Sequence, residues 1–207
     1  IDDIFDDLLE LIDNISYSRY KTLTYLKNPT EEESSLLIGQ MNLRGFMKNL
    51  LIKRLESSFY AFSKTVERFE NSYKKFIDMF DTGEIYISKK YDVYDLLESD
   101  DDEKLLSLVE EGEITHYIKD EFEDKFFEDL QNDLEILNQI NLKIKDIDID
   151  PKLLSFVNQL KNNKNLIDGK KIIFTESKET AEYLKIELQK ALKQPITVFT
   201  GSSHNSL

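Results

Sequence analysis

The 207-residue chain contains no cysteine and no tryptophan, and only three prolines and six glycines. Without cysteine there is no disulfide scaffold and no thiolate-ligated zinc or iron–sulfur centre. Sparse Pro and Gly beside 40% hydrophobic residues argue against a disordered or collagen-like chain. No apolar run approaches the ~20 residues of a membrane-spanning helix, so no membrane partner is expected. The opening IDDIFDDLLELID is acidic and lacks the basic stretch of a signal peptide. A cytoplasmic location is expected. The absence of an initiator Met, and an end soon after a TG turn, read as an excised piece of a longer chain.

Self-contained chemistry is also missing. There is no GxxxxGK[ST] phosphate loop, no HExxH and no GxSxG. His116 and His204 stand far apart without a carboxylate or nucleophile partner, and read as surface residues. The cluster Asp100, Asp101, Asp102 and Glu103 lacks the DxDxDG spacing of a calcium loop. It reads as a solvated loop or a helix N-terminal cap. No catalytic residue, metal site or cofactor is therefore expected in the chain by itself.

The net charge is −14, which taken whole speaks against a nucleic-acid binder. Its distribution reverses that reading. Segment 76–135 holds 21 acids and 5 bases, whereas 41–75 holds 3 acids and 8 bases and 136–207 holds 8 acids and 11 bases. One acidic segment carries more than the whole excess.

Periodicity gives mainly helix. Ile4, Phe5, Leu8, Leu9 and Ile12 have helical spacing. Asn28-Pro29 stops one helix, and Thr30 with Glu33 has the spacing of a capping box. From Met41 to Phe80 the only glycine is Gly45, and one long helix of roughly 60 Å is expected, ended by Asp81-Thr82-Gly83. Residues 84–100 read as a short hairpin or an irregular loop. Asp101 to Glu111 reads as a short helix and His116 to Ile144 as a second long one. Asp150 with Pro151 marks a new helix start. KIIFT (Lys171–Thr175) and ITVFT (Ile196–Thr200) are strand-type runs flanking a helix from Ser177 to Lys193. Strand, helix, strand at that spacing predicts a parallel unit. The fold class expected is thus mainly α: a long helical hairpin region over 1–149, then a truncated α/β piece over 150–207.

The long helix has two faces. Leu55, Phe59, Phe62, Val66, Phe69, Tyr73, Phe76 and Phe80 step 4,3,4,3,4,3,4, a heptad seam. Phe122, Phe126, Leu130, Leu134, Leu137 and Ile144 offer a matching face. Opposite the seam lie Lys53, Lys64, Arg68 and Lys75. Three readings of that cationic stripe stand open: a solvated face, a phosphate-tracking surface, or a surface facing the acidic segment 98–135.

Three segments together resemble a family. KKIIFTESKETAEYLKIEL (Lys170–Leu188), followed by VFTGSS (Val198–Ser203), resembles motif IV and the adjacent TG element of superfamily 2 helicases, which open the second RecA-like lobe. DPKLLSFVNQL (Asp150–Leu160) is similar to the preceding helix in Swi/Snf-like ATPases. LRGFMKNLLIKRLESSFYAFSKTVERF (Leu43–Phe69) resembles a block between the two lobes of bacterial Swi/Snf-like helicases. The resemblance covers Tyr17–Phe80 and Asp150–Ser203. It implies a parent that is an ATP-dependent translocase or helicase on duplex nucleic acid, using ATP and Mg²⁺. This chain would supply a non-catalytic part, in contact with the first RecA-like lobe and the remainder of the second. Motifs I, Ia, II, III, V and VI, with the arginine finger, are absent, so no ATP hydrolysis is expected here. By resemblance, Thr175, Ser177, Thr200 and Gly201 face the nucleic-acid backbone. Lys53 and Arg54 are candidates for backbone or inter-lobe contact.

The alternative is a helical protein–protein interaction module whose acidic hairpin binds a basic partner, with no enzymatic parent. A cut sheet edge would also allow self-association.

Overall fold

The computed structural model describes residues 2–88, 114–145, 147, 150–167, 169–175 and 178–199. Helix α1 (Asp2–Asn14) forms on the apolar spacing expected of it, with Leu8 and Ile12 fully buried. Two 3₁₀ turns, Ser18–Tyr20 and Thr22–Tyr25, lead on. Helix α2 (Glu31–Ser57) starts in the expected capping box. The Glu33 N–H donates to Thr30 Oγ1 (3.2 Å), and the Thr30 N–H donates to Glu33 Oε2 (2.8 Å). Glu31, Glu32 and Glu33 sit in the first turn, where the helix dipole favours anions.

The single long helix expected from Met41 to Phe80 is two helices. Helix α2 ends at Ser57, and α3 (Phe59–Asp81) begins after Ser58. The Ser58 backbone is extended (φ −158°, ψ 149°). Its N–H donates to Arg54 O (3.0 Å), and its Oγ accepts from the Ala61 N–H (3.0 Å). One serine thus closes α2 and caps α3, satisfying a donor that a new helix otherwise leaves orphaned. The seam continues across the break, with Leu55, Phe59, Phe62, Val66, Phe69, Tyr73, Phe76 and Phe80 all buried.

The second long helix also starts later than expected. Residues Ile114–Ile118 form strand β2, antiparallel to β1 (Glu84–Ser88), with Glu84 opposite Ile118 and Ser88 opposite Ile114. ITHYI is β-branched and aromatic, and its alternation puts Tyr117 inward and His116 outward, which suits a strand covered on one face. A 3₁₀ turn, Lys119–Glu121, then leads to helix α4 (Asp124–Lys145). The expected helix over 101–111 lies outside the described residues.

Helices α3 and α4 run antiparallel, as the hairpin expectation required. Phe80 and Phe76 meet Phe126 edge-on (5.4 and 5.8 Å between centroids), and Tyr73 reaches Asp133. Offset and edge-to-face pairs of this kind add to the area they bury. The core of the molecule is this aromatic layer, closed by α1 and the buried half of α2 (Leu43, Met47, Leu50, Leu51).

Asp150 caps helix α5 (Pro151–Asn162), accepting from the Lys152 and Leu153 N–H groups (3.0 and 3.2 Å), with Pro151 in the first turn. A short helix, α6 (Lys164–Ile167), and then α7 (Lys178–Leu192) follow. The expected parallel strand–helix–strand pattern is absent among the described residues. Segments 171–175 and 195–199 carry no ladder, and the sheet described is the antiparallel β1–β2 pair. Both segments nevertheless flank the apolar face of α7. They line an open hollow of about 500 Å³ with Ala181, Leu184 and Leu188. The coarse class, mainly helical, holds. Among the described residues no helix is long and apolar enough to cross a membrane.

Candidate nucleic-acid interface

Of the residues expected to face phosphate, Thr175 is exposed, in the segment 171–175 that carries no regular secondary structure. Ser177, Thr200 and Gly201 lie outside the described residues. The cationic stripe is not one surface. The break at Ser58 puts Lys53 and Arg54 on α2, and Lys64, Arg68 and Lys75 on α3. Lys53 and Lys75 are exposed, and among the described residues neither has an ion-pair partner. Lys64 bonds Glu67 (2.8 Å), and that hydrogen bond holds its ammonium above the ordinary value.

Arg54 and Arg68 turn the other way, toward the first turn of α7. Arg68 NH2 donates to Glu179 Oε1, and Arg54 NH1 lies 3.7 Å from Glu179 Oε2. The Arg54 and Glu179 side chains are only 9% and 13% exposed, whereas Arg68 is 36% exposed. Thr180 Oγ1 shares hydrogen bonds with Ser57 Oγ (3.0 Å) and Ser58 Oγ (3.2 Å). The N-cap of α3 and the first turn of α7 therefore meet at the helix break.

Two further contacts complete this joint. Lys152 Nζ donates to Leu55 O (3.3 Å) and to Glu56 O, carbonyls of the last turn of α2, the end of the dipole that favours a cation. Tyr60 of α3 stacks on Tyr183 of α7 with centroids 4.9 Å apart and rings 4° from parallel. The Tyr183 hydroxyl donates to Asp150 Oδ2 (3.1 Å). Burial first, and then the Asp150 charge, raises its pKa. The side-chain contacts that α5 and α7 make at the joint are polar and aromatic.

A second buried polar cluster was not foreseen. The Asp133 carboxylate, fully buried, accepts from the Ser16 N–H (2.6 Å), the Ser18 N–H (2.8 Å), Ser18 Oγ (2.7 Å) and the Tyr73 hydroxyl (2.9 Å). Burial raises its pKa, while the hydrogen bonds from Ser18, Ser16 and Tyr73 pull it down. The sequence did carry a signal. Phe126, Leu130, Asp133, Leu137, Ile140 and Ile144 step 4,3,4,3,4, so an acidic residue stands at a seam position. For Glu179 the signal was weaker: an acid in the first turn of a helix is ordinarily only a dipole partner. Nothing in the spacing marks Tyr60, Tyr183 or Lys152.

The sequence holds no phosphate loop, and among the described residues no group of His, Asp or Glu is arranged to hold a metal ion. No protein-family model, curated protein or solved structure matches the chain.

Proposed function

We propose that the chain is the inter-lobe helical region and the opening of the second RecA-like lobe of a Swi/Snf-like superfamily 2 helicase or translocase, and that its own part is non-catalytic. It joins the lobe to the helical region and presents phosphate-facing groups to duplex nucleic acid. One observation supports this reading above others. Two of the segments that carry the resemblance, Leu43–Phe69 and Lys170–Leu188, are in direct contact through Arg54, Arg68, Ser57 and Ser58 on one side and Glu179 and Thr180 on the other. A lobe that must transmit force to an inter-lobe helix needs such a contact. The strand-type segments are consistent with it. Phe174 and Phe199 are 90% and 87% exposed, as expected of runs that await further strands of a sheet.

The test has two arms. The parent reading frame should encode a phosphate loop and DE[AGC]H on the N-terminal side and a QxxGRxxR-like motif on the C-terminal side. Their absence removes the helicase reading and leaves the interaction module. The chain itself should bind a short fluorescent duplex weakly, with affinity falling steeply as salt rises, because few phosphates are neutralised without the other lobe. Nanomolar affinity persisting at physiological salt would contradict the divided grip.

A further inference from the structure

We infer that the Arg54–Arg68 pair is a seat for a phosphate-class anion in which Glu179 acts as an intramolecular placeholder, so that phosphate binding there and this contact of α7 exclude one another. The identity of the natural anion as a nucleic-acid backbone rests on the function proposed above; the seat itself does not.

The argument starts from how poorly a carboxylate fills the place. Glu179 Oε1 accepts from Arg68, but Oε2 is buried and accepts no hydrogen bond among the described residues. It lies 3.7 Å from Arg54 NH1, beyond hydrogen-bond reach. A buried carboxylate oxygen left in that state is under-satisfied. Two guanidiniums from different helices offer forked donors, and phosphate, with more acceptor oxygens than a carboxylate, suits forked donors. Ser57, Ser58 and Thr180 add hydroxyls beside them. Two long helices, α3 and α7, both begin at this spot, and their N-terminal dipoles also favour an anion. Arg68 is 36% exposed, so an anion reaches it from solvent without unfolding the chain. Once phosphate holds Arg68 and Arg54, Glu179 loses its two guanidinium partners, and α7 relies on its other contacts, among them the Tyr60–Tyr183 stack, the Tyr183–Asp150 hydrogen bond and the hydroxyl bridge.

The test uses the whole chain and inorganic pyrophosphate as the probe, followed by phosphorus NMR and calorimetry. Glu179→Gln should tighten pyrophosphate binding by roughly tenfold, the size of one competing ion pair. Arg54→Gln with Arg68→Gln should abolish it. Because the chain has no cysteine, Asn71→Cys with Glu182→Cys, both exposed, gives a clean spin-label pair across the joint. Pyrophosphate should broaden the distance distribution, and chloride at matched ionic strength should not. Glu179→Asp, which keeps the charge, should remain close to wild type and guards against a folding defect. Equal affinity in wild type and Glu179→Gln, or an equal effect of chloride, overturns the seat and leaves a static ion pair. A short duplex run in parallel separates the two ideas. Response to pyrophosphate but not to duplex keeps the seat and removes the nucleic-acid source. Duplex binding with no change in label distance from either duplex or pyrophosphate removes the seat while the helicase reading stands.

Discussion

Replacing Asp133 with alanine removes the acceptor of four hydrogen bonds at once. Two come from backbone N–H groups of the 16–18 turn, one from the Ser18 hydroxyl and one from Tyr73 on α3. The site is fully buried, so water does not readily replace the carboxylate. Each donor left without a partner costs ~1–3 kcal/mol. Relief from burying the carboxylate offsets part of this, and breaking one side of a buried charged network generally costs ~3–5 kcal/mol net. With a urea slope of ~2 kcal/mol/M, the unfolding midpoint should fall by ~1.5–2.5 M. Asp133→Asn keeps the volume and one acceptor oxygen but turns an amide donor toward other donors. It should fall between wild type and alanine. Tyr73→Phe alone should cost ~1–3 kcal/mol, the range of a hydrogen bond to a charged group or of an orphaned buried one. Combined with Asp133→Ala it should cost little more, because the two share one interaction. Far-ultraviolet circular dichroism in urea measures the four variants beside wild type. A midpoint for Asp133→Ala within ~0.3 M of wild type, at unchanged slope, would refute the view that this carboxylate ties α4 to α3 and the first turn.

Ser58→Ala should destabilise the chain by ~1 kcal/mol through the lost N-cap, and Ser58→Gly by only a few tenths; chemical denaturation distinguishes them, and equal effects would refute capping as the cause of the helix break. Burial above all raises the hydroxyl pKa values of Tyr17, Tyr25, Tyr73, Tyr117 and Tyr183 above the ordinary 10.0. The neutral form is favoured in the folded state, so their contribution is complete below about pH 10 and is lost as pH rises beyond it. Tyrosinate absorbance should therefore rise in two stages, the second coinciding with loss of helix; one smooth titration at the ordinary pKa would contradict the burial.

Local signals were the legible ones. The capping box at Thr30, the Asp150–Pro151 start, the stop at 81–83 and the aromatic seam each depend on residues within one or two turns of each other, and each is where it was expected. The seam even survives the interruption at Ser58, since apolar burial follows spacing rather than backbone continuity. What escaped reading depends on distant partners. β2 is a strand because β1 lies beside it, and its residues alone read equally as the first turns of a helix. The stripe of Lys53, Lys64, Arg68 and Lys75 rests on projecting Met41 to Phe80 as one straight helix. A single extended residue breaks that projection, and Arg54 and Arg68 then meet Glu179 from a segment more than a hundred residues away. A buried carboxylate such as Asp133 is hard to read for the same reason, because its donors come from the other end of the chain.

The pairing of Ser88 with Ile114 has a consequence for how the chain tolerates change. Because Ser88 and Ile114 are partners in one ladder, the two ends of the described chain on either side of 89–113 lie side by side. Joining two paired strand ends through a flexible connection costs only ~0.6 kcal/mol for each doubling of the connection's length. Residues 89–113 hold ten acidic and three basic side chains, half of the net charge of −14. The β1–β2 pair thus separates two properties that are usually bound together. The electrostatic character of the molecule can drift by insertion, deletion or replacement at a single graft point, while the aromatic layer and the joint at Ser58 are left untouched.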